Sequence, residues 1–117
     1  MDQNERTVRL IGADAFEKLQ SSQVAVVGLG GVGGHCAEAL ARAGIGRLHI
    51  VDSDTVNETN LNRQIVATKH TIGWKKTDAM KERLADVSDC VVTTSETFVL
   101  PDTVGQAIPK DADFIAD

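Results

Sequence analysis

The residues of this chain best suited to chemistry fall in two clusters. The first is Gly28-x-Gly30-x-x-Gly33, directly behind the apolar run Val24-Ala25-Val26-Val27, with an acid, Asp52, some twenty residues on. Glycines in this spacing let the main chain come close to a phosphate. The first N–H groups of the helix behind them point at it. A carboxylate placed as Asp52 is commonly accepts hydrogen bonds from ribose hydroxyls. The second cluster is the polar stretch that follows Asp52, which carries Asn60, Arg63, Gln64 and Lys76. These four side chains can surround a triphosphate, with Arg63 and Lys76 neutralising the charge that develops as pyrophosphate leaves. On spacing alone the same stretch also reads as a solvated surface loop.

The elements that must position these residues are legible in the periodicity. Val24–Val27 reads as a buried parallel strand, and the apolar residues after the glycines recur at helical spacing. Val32, Cys36, Ala39, Leu40 and Ala43 form a small-residue face for that helix, and Gly44 and Gly46 end it. Residues 47–52 form a second strand ending on Asp52. After the polar stretch, residues 75–87 return as a helix with Met80, Leu84 and Val87 towards the core. Residues 90–94 give a third strand, a crossover starts at Pro101 and carries Val104 and Ile108, and residues 112–117 give a fourth strand. The expected fold class is α/β, a Rossmann-like doubly wound and mostly parallel sheet of order 3-2-1-4, incomplete at the C-terminus. Residues 1–22 are expected to be an N-terminal arm, around Arg6–Arg9, and a short helix, Ala13–Ser21, with Phe16 and Leu19 on one side. Residues 23–117 are expected to be the N-terminal part of a nucleotide-binding domain.

Composition narrows the class. The chain has 117 residues, 42% hydrophobic and 25% charged, with a net charge of −5, so its overall charge does not draw it to nucleic acid or an acidic membrane. A local basic patch is compatible with that total. No apolar run approaches the ~20 residues of a membrane helix, and the first residues lack the apolar stretch of a signal peptide, so a cytoplasmic protein without a membrane partner is the expectation. Cys36 and Cys90 lie too far apart for a zinc knuckle or a redox pair, which leaves buried packing as their reading. His49, inside the second strand, reads as a packed or edge histidine. An NAD-dependent dehydrogenase domain usually leaves its second strand quickly into an amphipathic helix, and the polar stretch after Asp52 argues against it.

At Asp52-x-Asp54, Asn60-x-x-Arg63-Gln64 and Lys76, taken with the glycine turn, the chain resembles the adenylating superfamily of ThiF, MoeB and the ubiquitin-activating enzymes, from Arg6 to Asp117. Residues Asn60–Ile65, with Ala67, Thr71, Gly73, Lys76, Met80, Glu82 and Arg83, are most similar to the tRNA threonylcarbamoyladenosine dehydratase branch. So is the stretch Ala39–Gly46. ThiF and MoeB more often carry Gln where Asn62 stands.

The resemblance implies an ATP-dependent enzyme that adenylates the threonyl carboxylate of threonylcarbamoyladenosine in tRNA and then closes it into a ring. The alternative it leaves is an adenylyltransferase that activates the C-terminal glycine of a ubiquitin-like sulfur carrier. It implies that Gly28, Gly30, Gly31 and Gly33 line the ATP phosphates, that Asp52 holds the ribose, and that Asp54 lies near nucleotide and metal. Asn60, Arg63, Gln64 and Lys76 would contact the phosphates. Arg6 matches an arginine that reaches the ATP of a second subunit. Implied cofactors are ATP and Mg2+, and implied partners are the modified tRNA, a second copy of the chain and a sulfur-transfer protein. The family's magnesium-binding Asp falls three residues beyond Asp117. The expectation is therefore an N-terminal piece that binds ATP poorly and does not turn over by itself.

Overall fold

The computed structural model describes residues 3–96, 108–109 and 112–116. Its elements run α1 (Glu5–Ile11), α2 (Ala13–Gln20), β1 (Gln23–Val27), α3 (Val32–Ala43), β2 (Arg47–Val51), a 3-10 turn (Glu58–Asn60), α4 (Lys76–Val87), β3 (Val91–Ser95) and β4 (Phe114–Ala116). The strands form one sheet of order β3-β2-β1-β4, with every pairing parallel. This is the expected order and the expected class. Pro101 and Val104 of the expected crossover, and Asp117, lie outside the described residues.

Parallel strands read as continuous apolar runs because they are covered on both faces. Val24, Ala25 and Val26 of β1 and Leu48, Ile50 and Val51 of β2 are accordingly all buried. Val24 pairs with Leu48 and Val26 with Ile50, so that these four point to one face. There they meet Ala37 and Ala41 of α3 and Met80 and Leu84 of α4. Full burial of each large side chain here contributes roughly 1.5–3 kcal/mol. His49 is also buried, its ring nitrogens 2.7 Å from Thr93 Oγ1 and 3.0 Å from Ser95 Oγ on β3. It is a packed histidine.

One expectation needs correction, and another gains a definite form. The inward face of α3 is Gly34, Ala37 and Ala41, whereas Val32 and Ala39 are exposed. The helix chooses its smallest residues over its most apolar ones because it must lie close. A Cβ on Gly34 would come within 2.7 Å of Ile65 and 3.2 Å of the Leu29 carbonyl oxygen. The arm expected around Arg6–Arg9, outside the main sheet, takes the form of helix α1 over residues 5–11, with Arg9 bonded to Glu5 one turn back and Gly12 breaking the helix at φ +90°. No residue of α1 is buried. Gln3 bonds the Val87 carbonyl and Asn4 lies against Gly44, so α1 begins where α4 and α3 end, at the amino edge of the sheet.

Helices α3 and α4 are joined by Glu38, which accepts from Arg83 Nε and lies 3.6 Å from Arg42 Nε. Burial alone would raise the Glu38 carboxyl, but the two guanidiniums outweigh it and hold it below its ordinary 4.5. A lowered carboxylate contributes stability above its ordinary pKa and loses it as pH falls through the folded value. Both arginines are partly exposed and screened, so Glu38→Gln is expected to cost only about 1 kcal/mol at neutral pH. The difference from the unaltered chain should vanish well below pH 4.5, which urea unfolding at the two pH values measures.

Candidate functional site

The glycine turn lies at the carboxyl end of β1. Gly28 leaves the strand with φ +88°, and its N–H donates to the Val51 carbonyl at 2.8 Å. Gly31, at φ +48°, is the residue before α3, and no side chain caps that helix start. Gly33 is required by closeness. A Cβ there would stand 1.8 Å from the Gly28 carbonyl oxygen. The turn therefore folds back on itself and leaves the start of α3 open to an anion, with no side chain at Gly28 or Gly31 to obstruct it.

Asp52 joins this turn to the second strand. Its Oδ2 accepts the Leu29 N–H at 2.7 Å, and its Oδ1 accepts the Asp54 N–H at 2.8 Å. Its carboxylate is thus fixed beside the glycines, with lone pairs left for a further donor. The Asp54 carbonyl accepts the Lys76 N–H at 3.0 Å, and Asp54 Oδ2 lies 3.8 Å from Lys76 Nζ. The Lys76 side chain is 7% exposed and that of Asp54 65% exposed. The ammonium is held inside while its partner stays in water.

Between these two acids and α4 the polar stretch is ordered. Val56 exchanges backbone hydrogen bonds with Trp74 and Gly73, both at 2.8 Å, and Val56, Val66 and Ala67 are buried in the main core. A capping box sets the 3-10 turn: Asn57 accepts from the Thr59 N–H, and Asn60 Oδ1 accepts the Asn57 N–H at 3.0 Å. The buried carbonyl of Asn60 is therefore committed to the loop's own backbone. Asn57-x-x-Asn60 was the available signal for this structural role, which the sequence reading missed. Gln64 is buried, its amide nitrogen 3.4 Å from where a Cβ on Gly30 would stand, and its Oε1 has no hydrogen-bond partner among the described residues. The Gln64 N–H2 is thus the group turned to the glycine turn, a donor of the kind an anion there would need, while the orphan Oε1 is a second group that a bound donor could satisfy.

Two predicted site residues stand apart. Arg63 is exposed, and its guanidinium bonds back to the Thr59 carbonyl at 3.1 Å and to Asn62 Oδ1 at 2.9 Å. Arg6 lies on α1, at the amino edge of the sheet, and the glycine turn lies at the carboxyl edge. The structure thus gathers Gly28, Gly30, Gly31, Gly33, Asp52, Asp54, Gln64 and Lys76 at one edge, carries Asn60 as their support, and leaves Arg63 turned onto its own loop. The described residues contain no group of three His, Cys, Asp or Glu side chains fit to hold a metal ion. Cys36 and Cys90 are half-buried free thiols rather than fully buried ones. Burial pushes the Cys90 thiol up, against the lowering effect of its hydrogen bond with Ser88, so it is not primed as a nucleophile.

With this geometry in view, the comparisons with known proteins are consistent. The chain is 42% identical to the tRNA threonylcarbamoyladenosine dehydratase of Bacillus subtilis (strain 168) over 118 aligned positions, covering 100% of the chain and 46% of that protein. It is 34% identical to the molybdopterin-synthase adenylyltransferase of Escherichia coli (strain K12), covering 89% of the chain and 42% of that protein. The E. coli tRNA N6-threonylcarbamoyladenosine dehydratase, TcdA, solved in complex with ATP, superposes with a TM-score of 0.86 at 43% identity, over 89% of this chain and 43% of that one. The chain spans less than half the length of each of these relatives. The ThiF family pattern matches residues 2–117, and the chain belongs to that family.

Proposed function

We propose that this chain forms the nucleotide-binding part of an ATP-dependent tRNA threonylcarbamoyladenosine dehydratase acting in the cytoplasm. The observation that carries this reading is the closure of the polar loop over the glycine turn. Gln64 stands against Gly30, and Lys76 is turned inward beside Asp54. Similarity to a tRNA threonylcarbamoyladenosine dehydratase over the whole chain supports this choice of substrate. No helix among the described residues is long and apolar enough to cross a membrane.

ATP is the adenylyl donor. A carboxylate oxygen of the threonyl group attacks its α-phosphorus and pyrophosphate leaves. The carbamoyl oxygen then attacks the activated carbonyl, AMP leaves and a five-membered ring closes, with net loss of water from the substrate. Gly28, Gly30, Gly31 and Gly33 give the phosphates main-chain access, and Asp52, already oriented by two N–H donors, receives the ribose hydroxyls. Gln64 and Lys76 offer a donor and a cation to the phosphate chain, with Asn60 holding the loop. Arg63 swings from its own loop to the departing pyrophosphate. Asp54, exposed beside the crevice, would offer magnesium one carboxylate, and the metal would add positive charge at the phosphates. Because α1 lies at the far edge of the sheet, Arg6 serves the site of a second copy. Positioning and preorganised positive potential are the protein's main contributions.

The test is ATP-dependent conversion of tRNA carrying threonylcarbamoyladenosine to its cyclic form, followed as the loss of one water by mass spectrometry. Conversion with release of AMP is the expected result. No conversion, alongside ATP-dependent adenylation of a ubiquitin-like C-terminal glycine, would replace this reading with the sulfur-carrier one, in which the partner is a sulfur-transfer protein.

A further inference from the structure

Charge is unevenly spread along this acidic chain. Residues 59–77 contain Arg63, Lys69, Lys75 and Lys76 and no Asp or Glu. Lys75 Nζ lies 2.7 Å from Glu96, and Lys76 is held beside Asp54. Lys69 forms no ion pair among the described residues, and it stands next to His70 at the exposed tip of a turn.

That turn is held from the inside. The Thr71 N–H donates to the Thr68 carbonyl at 3.0 Å, and the Thr68 N–H to Thr71 Oγ1 at 2.9 Å. Buried Thr71 in turn donates its hydroxyl to the Val66 carbonyl at 2.9 Å. The His70 ring lies 5.0 Å from the Trp74 ring at 60°, and Trp74 packs against the main core. Glu82 Oε1 lies 3.8 Å from His70 Nε2. The result is an exposed cation beside an exposed planar ring on a rigid support. Those are the two groups with which proteins hold unpaired RNA, charge for the phosphate and a ring for the base. The location also fits. Lys69 is five residues from Gln64, so the tip lies within about 18 Å of Gln64, whose amide stands against Gly30 of the glycine turn.

We infer that the Lys69–His70 tip, backed by Trp74, is a docking surface for the unpaired tRNA loop that presents the modified adenosine. The inference rests on the tRNA reading above. Lys69 pairs with a backbone phosphate, and the outer face of His70 stacks on a base neighbouring the one that enters the crevice.

The test is equilibrium binding of tRNA carrying threonylcarbamoyladenosine at several salt concentrations to the unaltered protein and to Lys69→Glu, His70→Ala and Lys69→Arg. ATP affinity and thermal midpoint are measured alongside. Lys69→Glu is expected to weaken tRNA binding about 10-fold and to reduce the salt slope by about 1. His70→Ala should weaken it about 10-fold with the slope unchanged. Lys69→Arg should restore it, and ATP affinity and midpoint should stay the same throughout. Unaltered affinity in both Lys69→Glu and His70→Ala would overturn the docking surface and leave the proposed function standing. An unaltered protein that binds no tRNA would overturn both.

Discussion

Lys76→Met is expected to reduce ATP-dependent turnover by about 10²–10³ while leaving the fold as stable as before, or more so. The two effects have one origin. Lys76 is almost fully withdrawn from water, and its carboxylate partner, 3.8 Å away, is largely solvated. Removing an ammonium from water costs several kcal/mol, and an exposed partner at that distance returns little of it. A methionine of similar length fills the space without that cost, and Asp54 remains solvated once its partner has gone. A buried cation that contributes so little to folding is best explained by what it does when an anion lies beside it. Losing one preorganised donor to developing charge costs about 10²–10³ in rate. Turnover at saturating ATP and a denaturation midpoint, taken on the same preparation, measure both. Wild-type turnover would remove Lys76 from the mechanism, and a fall in midpoint equivalent to a loss of about 2 kcal/mol or more in unfolding free energy would make it structural.

Gly33→Ala is expected to destabilise the chain by about 3 kcal/mol and to abolish nucleotide binding. The added methyl would sit 1.8 Å from the Gly28 carbonyl oxygen, a backbone atom that cannot swing aside as a side-chain tip can. Relief requires opening the turn, which separates β1 from α3 and breaks the Gly33 N–H bond to the Gly30 carbonyl at 3.1 Å. Overpacking of this kind lies at the upper end of the usual range of about 1–3 kcal/mol. Gly30→Ala is the matched control. Its Cβ would meet only the Gln64 amide, at 3.4 Å, and Gly30 has no positive φ. It should fold with little loss of stability, as urea unfolding of the two variants side by side would show. Equal loss in both would mean that the close approach at Gly33 is not what shapes the turn.

Much of this organisation could be read without coordinates. Val24–Val27 is an uninterrupted apolar run and Leu48–Val51 is broken only by His49, and at that length, with glycines on their flanks, both suit a doubly covered strand. The glycines between them, and Gly44 at φ +112° after α3, punctuate the chain wherever side chains would clash. Local chemistry of this kind predicts the class, the strand order and the cluster of glycines with Asp52. The face of α3 was misread because hydrophobicity says which residues prefer burial and not how close two backbones must come. That the N-terminal arm is helical was not legible, because its support, Glu5 bonded to Arg9 and an end at Gly12, is weak in a segment with no buried residue.

The roles within the polar stretch divide along the same line. That Asn60, Arg63, Gln64 and Lys76 can surround a triphosphate follows from their types, whereas their spacing suits a solvated loop equally well, and that much is sequence information. Which of them is buried under the glycine turn, which braces the loop and which lies folded on the surface was decided by the tertiary structure alone. Asn60 and Gln64 are both amides, yet one bonds the backbone of Asn57 and the other sets its nitrogen against Gly30 and leaves its carbonyl without a partner among the described residues. Arg63 and Lys76 are both cations, yet one is exposed and the other is enclosed. Side-chain type fixes what a residue can bond, and only the packing of the loop against β1, β2 and α4 fixes which partners lie within reach and how much water remains around them.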